Sequence, residues 1–311
     1  MIDLSAVVFA YSEVGHVCLT ELLRQGADVR ALFTHEDDPG ETMWFPSVAE
    51  LARGAGIPVL TPEILGDEEY ELVRGLVPDA LFSFYYRNMI PERFLALPSG
   101  GAFNMHGSLL PRYRGRACVN WAVLRGETET GATLHHMVRR ADAGDIVDRE
   151  GVPILRDDTA LDVTRRVAGA ARVILERTLP LIASGTAPRT PQDEERATYF
   201  GRRRPEDGRI DWSEGAMSIH NLVRAVTRPF PGAFTSHRGA KLFVWRSCVE
   251  GPLAPSECAT PTGTVLSIEP MRVATGLGIL VIEELEFESA PAQGDEIRAG
   301  DRLGCLSSGT F

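Results

Sequence analysis

A chain of 311 residues is long for one hydrophobic core and comfortable for two unequal domains. Its 44% hydrophobic and 24% charged residues are the mix of an ordinary soluble globular protein. A formal charge of −11 opposes a non-specific hold on nucleic acid, because phosphate contacts need a basic field.

The opening "MIDLSAVVFAYSE" has no basic leader, and its apolar run is too short for a signal peptide or a membrane span. A cytoplasmic protein with no membrane partner is therefore expected. "AVVFAY" (6–11) reads as a buried strand, and "GHVCLTELLRQG" (15–26) as a helix closed by Gly26. "VRALFTH" (29–35), "IPVLTP" (57–62), "ALFSFYY" (80–86) and "GAFNMH" (101–106) are further strands. Between them, "SVAELARGAG" (47–56) and "EEYELVRGLVP" (68–78) are helical. This alternation predicts an α/β fold, a Rossmann-like and mostly parallel sheet with helices on both faces.

"ATLHHMV" (132–138) continues the sheet, and residues 160–185 read as a long amphipathic helix ending at Gly185. "TAPRTPQDEERATYFGRRRPEDGRIDW" is rich in Pro and charge, and reads as a connector. Beyond it come a short helix (216–226), a hairpin turning at Arg238-Gly239, and three short strands. The expected division is a catalytic domain over 1–205 and a small C-terminal β-barrel-like domain over 206–311.

Several chemistries lack their motifs. The first β–α turn, "FAYSEVGHV", has no G-x-G-x-x-G, and no G-x-x-x-x-G-K-[ST] occurs. Cys18, Cys118, Cys248, Cys258 and Cys305 are scattered and never form C-x-x-C, as reduced thiols would be. His135 and His136 are neighbours on a strand and point to opposite faces, with no carboxylate motif beside them. They are expected to be packing or surface residues, and no metal is expected.

Asn104 and His106 end a strand two residues apart, so they share a face at the edge where open parallel sheets bind ligands. Asp142 follows among Ala141, Ala143 and Gly144, which permit a tight loop. An amide can donate to an oxyanion, an imidazole can carry an amine proton, and a carboxylate can steady the imidazolium. Those three groups suffice for acyl transfer to an amine; hydrogen-bonded polar strand ends are the competing reading.

"FNMHGSLLPRYRG" and "GETETGATLHHMVRRADAGDIV" closely resemble the folate-dependent formyltransferases, a family that acts on methionyl-tRNA and on sugar nucleotides. "VVFAYSEVG", "FTHEDDPGE", "FSFYYRNMI", "YFGRRRPEDGRIDW" and "HNLVRAVTRPFPGAF" extend the likeness nearly end to end, particularly toward members acting on UDP-4-amino-4-deoxy-L-arabinose. The decarboxylase fused to some of those members is not expected in this chain. The resemblance implies 10-formyltetrahydrofolate as co-substrate, with Asn104, His106 and Asp142 catalytic. It places Asn88, Met89, Ile90, Arg116, Val138, Arg139, Arg140, Ala141 and Asp142 around the folate. Tyr11, Arg202 and Arg203 become candidate acceptor contacts, although "GRRRPED" (201–207) also reads as an exposed charge run on a linker. A homodimer is common among such enzymes.

The acceptor stays open between three amines. Where tRNA-acting members carry a basic loop, this chain has Glu36, Asp37, Asp38 and Glu41, which would repel a phosphate backbone. A nucleotide-linked aminosugar fits better, with an amino-acid side-chain amine such as that of ornithine as a further alternative.

Overall fold

The computed structural model describes residues 2–36, 43–251, 260–289 and 296–304. They form two compact units, one of residues up to 119 with 129–153 and 162–201, the other of 120–128, 154–161 and 202 onward.

In chain order the first sheet-and-helix region runs β1 (Ser5–Ala10), α1 (Ser12–Gln25), β2 (Asp28–Phe33), α2 (Val48–Gly54), β3 (Val59–Leu60), α3 (Asp67–Leu76) and β4 (Ala80–Phe84). It continues with α4 (Glu92–Leu95), β5 (Gly101–His106), β6 (Arg114–Gly115), α5 (Cys118–Leu124), β7 (Glu129–His136), β8 (Ile146–Pro153), α6 (Ala160–Ala183) and β9 (Tyr199–Phe200). Seven strands make one sheet in the order β3-β2-β1-β4-β5-β7-β8. The first five pair in parallel, whereas β7 and β8 join antiparallel.

Central β1 is buried along its whole length, as an inner parallel strand covered on both faces must be. Phe9 of β1 stacks on Phe33 of β2 with centroids 4.6 Å apart, and Phe94 and Tyr86 meet Phe9 edge-on. Gly26 ends α1 at φ 82°, where a side chain would be strained, so the helix stops where the sequence placed its end. The chain winds outward from β1 to β3 and returns to β4, which puts the ligand-binding edge at the carboxyl ends of β1, β4 and β5.

The expected connector is not featureless. Its Tyr199 and Phe200 form β9, which pairs in parallel with β6. Two-residue strands carry too little periodicity to be read in advance. The antiparallel β8 and the helix α5 were likewise not foreseen.

The second unit holds α7 (Ala216–Val226), β10 (Ala233–His237), β11 (Ala240–Gly251), β12 (Val265–Ile268), β13 (Met271–Ala274) and β14 (Ile279–Phe287). The strands form a five-stranded antiparallel sheet, β10-β11-β14-β13-β12, which answers to the expected small barrel. Its first hairpin turns at Arg238 and Gly239, both at positive φ, the geometry that matches strand twist. Buried Arg224 of α7 donates to the carbonyls of Asp158 (2.9 Å) and Val123 (3.4 Å), joining the short segments of this unit. Among the described residues no helix is long and apolar enough to cross a membrane.

Candidate active site

β5 ends with Asn104 and His106 on one face, and antiparallel pairing sets His135 of β7 directly opposite Asn104. The Asn104 amide nitrogen lies 3.0 Å from His135 Nε2, while His135 Nδ1 lies 2.9 Å from the His136 carbonyl. That carbonyl accepts the Nδ1 proton, so Nε2 is left to accept from Asn104.

After β7 the chain enters the turn carrying Asp142, whose φ of 56° lies in the left-handed region. Gly144 is required by space: a Cβ there would stand 1.9 Å from the His136 carbonyl oxygen. The turn aims the carboxylate inward. Asp142 Oδ1 is 3.5 Å from His106 Nδ1 and 3.6 Å from His135 Nε2, and Oδ2 accepts the Gly115 N–H at 2.8 Å.

Burial opposes a charge on His106, but the Asp142 carboxylate, helped by Cys118 and the Tyr113 carbonyl, outweighs it and lifts the imidazole to about 10. Burial likewise pushes the Asp142 carboxyl up, and the charge on His106, with the Gly115 N–H, overrides it and holds the group well below the usual carboxylate range. The resting pair is therefore imidazolium and carboxylate. His106 Nε2 donates its proton to the Tyr113 carbonyl at 2.7 Å. Tyr85 and Cys118 crowd Gly107, the residue after His106: a Cβ there would meet the Tyr85 hydroxyl at 1.8 Å and the Cys118 sulfur at 3.2 Å.

The residues expected around a folate are distributed on the adjoining turns. Met89 is 63% exposed and Val138 47% exposed, large apolar side chains standing in water. Ile90 packs on the core of the sheet, and Asn88 donates to the Glu63 carbonyl at 3.2 Å. Exposed Arg116 donates to the Arg87 carbonyl at 3.3 Å. Arg139 and Arg140 are exposed, and Arg140 reaches Glu194 at 3.0 Å. Tyr11 is buried at the start of α1, with the Arg87 guanidinium 4.4 Å from its ring centre.

Arg202 and Arg203 belong to the second unit. Arg202 is exposed, whereas Arg203 lies over the Trp121 ring and donates to the Asp207 carbonyl at 2.9 Å. Asp37, Asp38 and Glu41 of the acidic loop lie outside the described residues, as do Cys258 and Cys305.

Sequence reasoning missed His135. Expected to be a packing or surface residue, it stands buried between Asn104 and Asp142. Strand alternation separates it from His136, but which of the two faces the site depends on a pairing partner far away in sequence. Its neighbour His136 takes the other face, against the Phe103 ring and the Pro188 carbonyl.

A carboxylate–imidazolium pair with an adjacent amide, set at the strand ends of a doubly wound sheet, has the groups that acyl transfer to an amine requires. The family profile described as formyl transferase matches residues 5–179, and that of the formyl transferase C-terminal domain matches residues 203–301. The chain belongs to the formyl transferase family. An N-formyltransferase from Helicobacter canadensis, solved with folinic acid and dTDP-3-aminofucose, aligns over 91% of this chain and 99% of its own, with a TM-score of 0.69 and 21% identity. WlaRD, a sugar 3N-formyl transferase solved in the presence of dTDP and 5-N-formyl-THF, aligns over 93% and 99%, with a TM-score of 0.68 and 19% identity. A sugar N-formyltransferase from a Shewanella species covers 78% of this chain and 96% of its own, at a TM-score of 0.63 and 17% identity.

Proposed function

We propose that the protein transfers a formyl group from 10-formyltetrahydrofolate to the amine of a nucleotide-linked aminosugar. The observation that carries this reading is the meeting of Asn104 and His106, at the end of β5, with Asp142 from the turn after β7, in a chain of the formyl transferase family. Support for the donor and acceptor classes comes from relatives of the same fold that were solved with folates and with dTDP or a dTDP-aminosugar. UDP-4-amino-4-deoxy-L-arabinose is the acceptor we favour, on the sequence resemblance.

In this mechanism the acceptor amine attacks the formyl carbon, and the carbonyl oxygen takes up negative charge. Asn104 has a second amide N–H with which to donate to that oxygen. His106, held as imidazolium by Asp142, supplies a proton to N10 of the departing tetrahydrofolate and regains one from the attacking nitrogen. One proton thus moves from amine to N10, and no covalent enzyme intermediate is needed. To act so, the Nε2–H must leave the Tyr113 carbonyl or the Nδ1–H must leave Asp142, so substrate entry reorganises this hydrogen bonding. Met89 and Val138 offer apolar contact to the pterin, with Asn88, Ile90, Arg116 and residues 139–142 completing its surround. Tyr11, Arg202 and Arg203 remain our candidates for the acceptor side.

The reading further includes a catalytic region over 1–205, a C-terminal domain over 206–311, a cytoplasmic setting and a homodimer, which light scattering decides. Incubation with 10-formyltetrahydrofolate and UDP-4-amino-4-deoxy-L-arabinose, dTDP-3-aminofucose, ornithine or methionyl-tRNA tests the function. The expected result is an aminosugar heavier by one formyl group, with tetrahydrofolate released. Transfer only to ornithine or methionyl-tRNA, or to none of the four, overturns it.

A further inference from the structure

Arg114 is 0% exposed, and a guanidinium is buried without cost only when its donors are met. All five of its N–H groups have partners. Nε donates to Gln192 Oε1 at 3.1 Å, and Nη2 to Gln192 Oε1 at 2.7 Å and Glu194 Oε1 at 2.6 Å. Nη1 donates to Glu194 Oε2 at 3.1 Å and to the Tyr199 hydroxyl at 3.4 Å. Such a group has no donor left for a substrate. Its partners, however, pass the grip onward. Gln192 Nε2 donates to the carbonyls of Asp142 (2.8 Å) and Gly144 (2.7 Å), and the Tyr199 hydroxyl donates to the Ala141 carbonyl at 3.1 Å.

Three carbonyls of one four-residue turn are therefore held by side chains that Arg114 itself orients. The turn includes the left-handed Asp142, a conformation that persists only where the surroundings enforce it. From the other side, Gly115 of the same β6 strand donates its N–H to Asp142 Oδ2. We propose that Arg114 and Gln192 are positioning residues: together they fix the 141–144 turn and so aim Asp142 Oδ1 at His106.

This inference rests on the catalytic reading of Asp142 and His106, but part of its test does not. The informative substitutions are Gln192→Leu, which removes every bond of the amide, and Gln192→Glu, which keeps an acceptor for Arg114 but loses both donors to the turn. Among the described residues, the charged and titratable groups facing the pair are Cys118 beside His106 with Tyr85 against it, His135 beside Asp142, and Glu194, Arg140 and Tyr199 around Arg114. Gln192 is uncharged, so its replacement by Leu adds and removes no charge among them.

Two measurements apply. Histidine NMR of the full chain follows the His106 titration, which Gln192→Leu should move downward by about tenfold or more in proton affinity as the carboxylate drifts off the buried ring. Steady-state assays should show kcat lowered by roughly 10- to 100-fold, the scale of a misplaced catalytic group, with KM for the folate nearly unchanged. Gln192→Glu should behave like Gln192→Leu in the assay. Thermal melting reports whether each variant is folded. A His106 titration and a kcat both unchanged in Gln192→Leu overturn the proposal, and so does a lost kcat with an unmoved titration. If the wild type transfers formyl to no amine, the function falls while the NMR arm still decides the positioning.

Discussion

His106 Nδ1 lies 3.5 Å from Asp142 Oδ1, and both side chains are almost wholly buried. Each group keeps the other charged, and that mutual dependence fixes how the enzyme answers to pH. The raised His106 pKa stabilises the fold fully below the ordinary imidazole value of roughly 6.5 and ceases to do so as pH climbs toward about 10. The depressed Asp142 pKa contributes above the ordinary carboxylate value of about 3.9, and that contribution fades as acid protonates the group. Formyl transfer should therefore be flat across neutrality and fall above a basic limb near 10, measured as kcat/KM against pH. In Asp142→Asn the burial remains without the carboxylate, so the His106 titration should drop below the ordinary imidazole range.

Removing the proposed catalytic groups should cost rate and leave the fold. We expect His106→Ala to lower kcat by roughly 10²- to 10⁴-fold. Loss of one oxyanion donor in Asn104→Ala should cost about 10²- to 10³-fold. Circular dichroism and melting curves close to those of the wild type would place the loss in chemistry. A fully active His106→Ala removes the role assigned to it.

His135→Leu deletes the acceptor that orients the Asn104 amide and one neighbour of Asp142. Losing a single oriented hydrogen bond is worth about 1–1.5 kcal/mol, so kcat should fall roughly tenfold. Because His135 is not expected to touch the folate, KM for the donor should stay near the wild-type value, and a rise in KM with kcat intact would contradict this.

Gly115 has φ of 99°, and a Cβ there would stand 2.2 Å from the Phe200 carbonyl oxygen. Gly115→Ala should therefore part β6 from β9 and withdraw the N–H that holds Asp142 Oδ2. Strain of this kind costs about 1–3 kcal/mol, visible as a lower melting temperature together with reduced turnover.

Much of this architecture is legible in the chain before any coordinates. Some elements announce themselves: α7 spans the residues read as a short helix, and Gly26, Gly185 and Arg238-Gly239 mark real ends and turns. The proposed catalytic groups Asn104, His106 and Asp142 stand out in the sequence because a motif surrounds them, and the structure brings them close together. His135, Gln192 and Arg114 were not, because their work is relational. Gln192 sits in a stretch with the composition of a linker, and its amide acquires meaning only once the turn 50 residues upstream lies within reach. The two-residue partners β6 and β9 are invisible for the same reason, since neither has a pattern of its own.

The register between β5 and β7 sets a rule for how this gene can change. Asn104 stands opposite His135, and the adjacent His136 looks into the opposite layer. Loss of one codon early in β7 would preserve an apolar strand of nearly the same composition, yet set His136 opposite the amide in place of His135 and reverse the side chains that follow. A change of two codons would keep the faces but still carry His135 away from Asn104, so the strand must keep its register and not only its alternation.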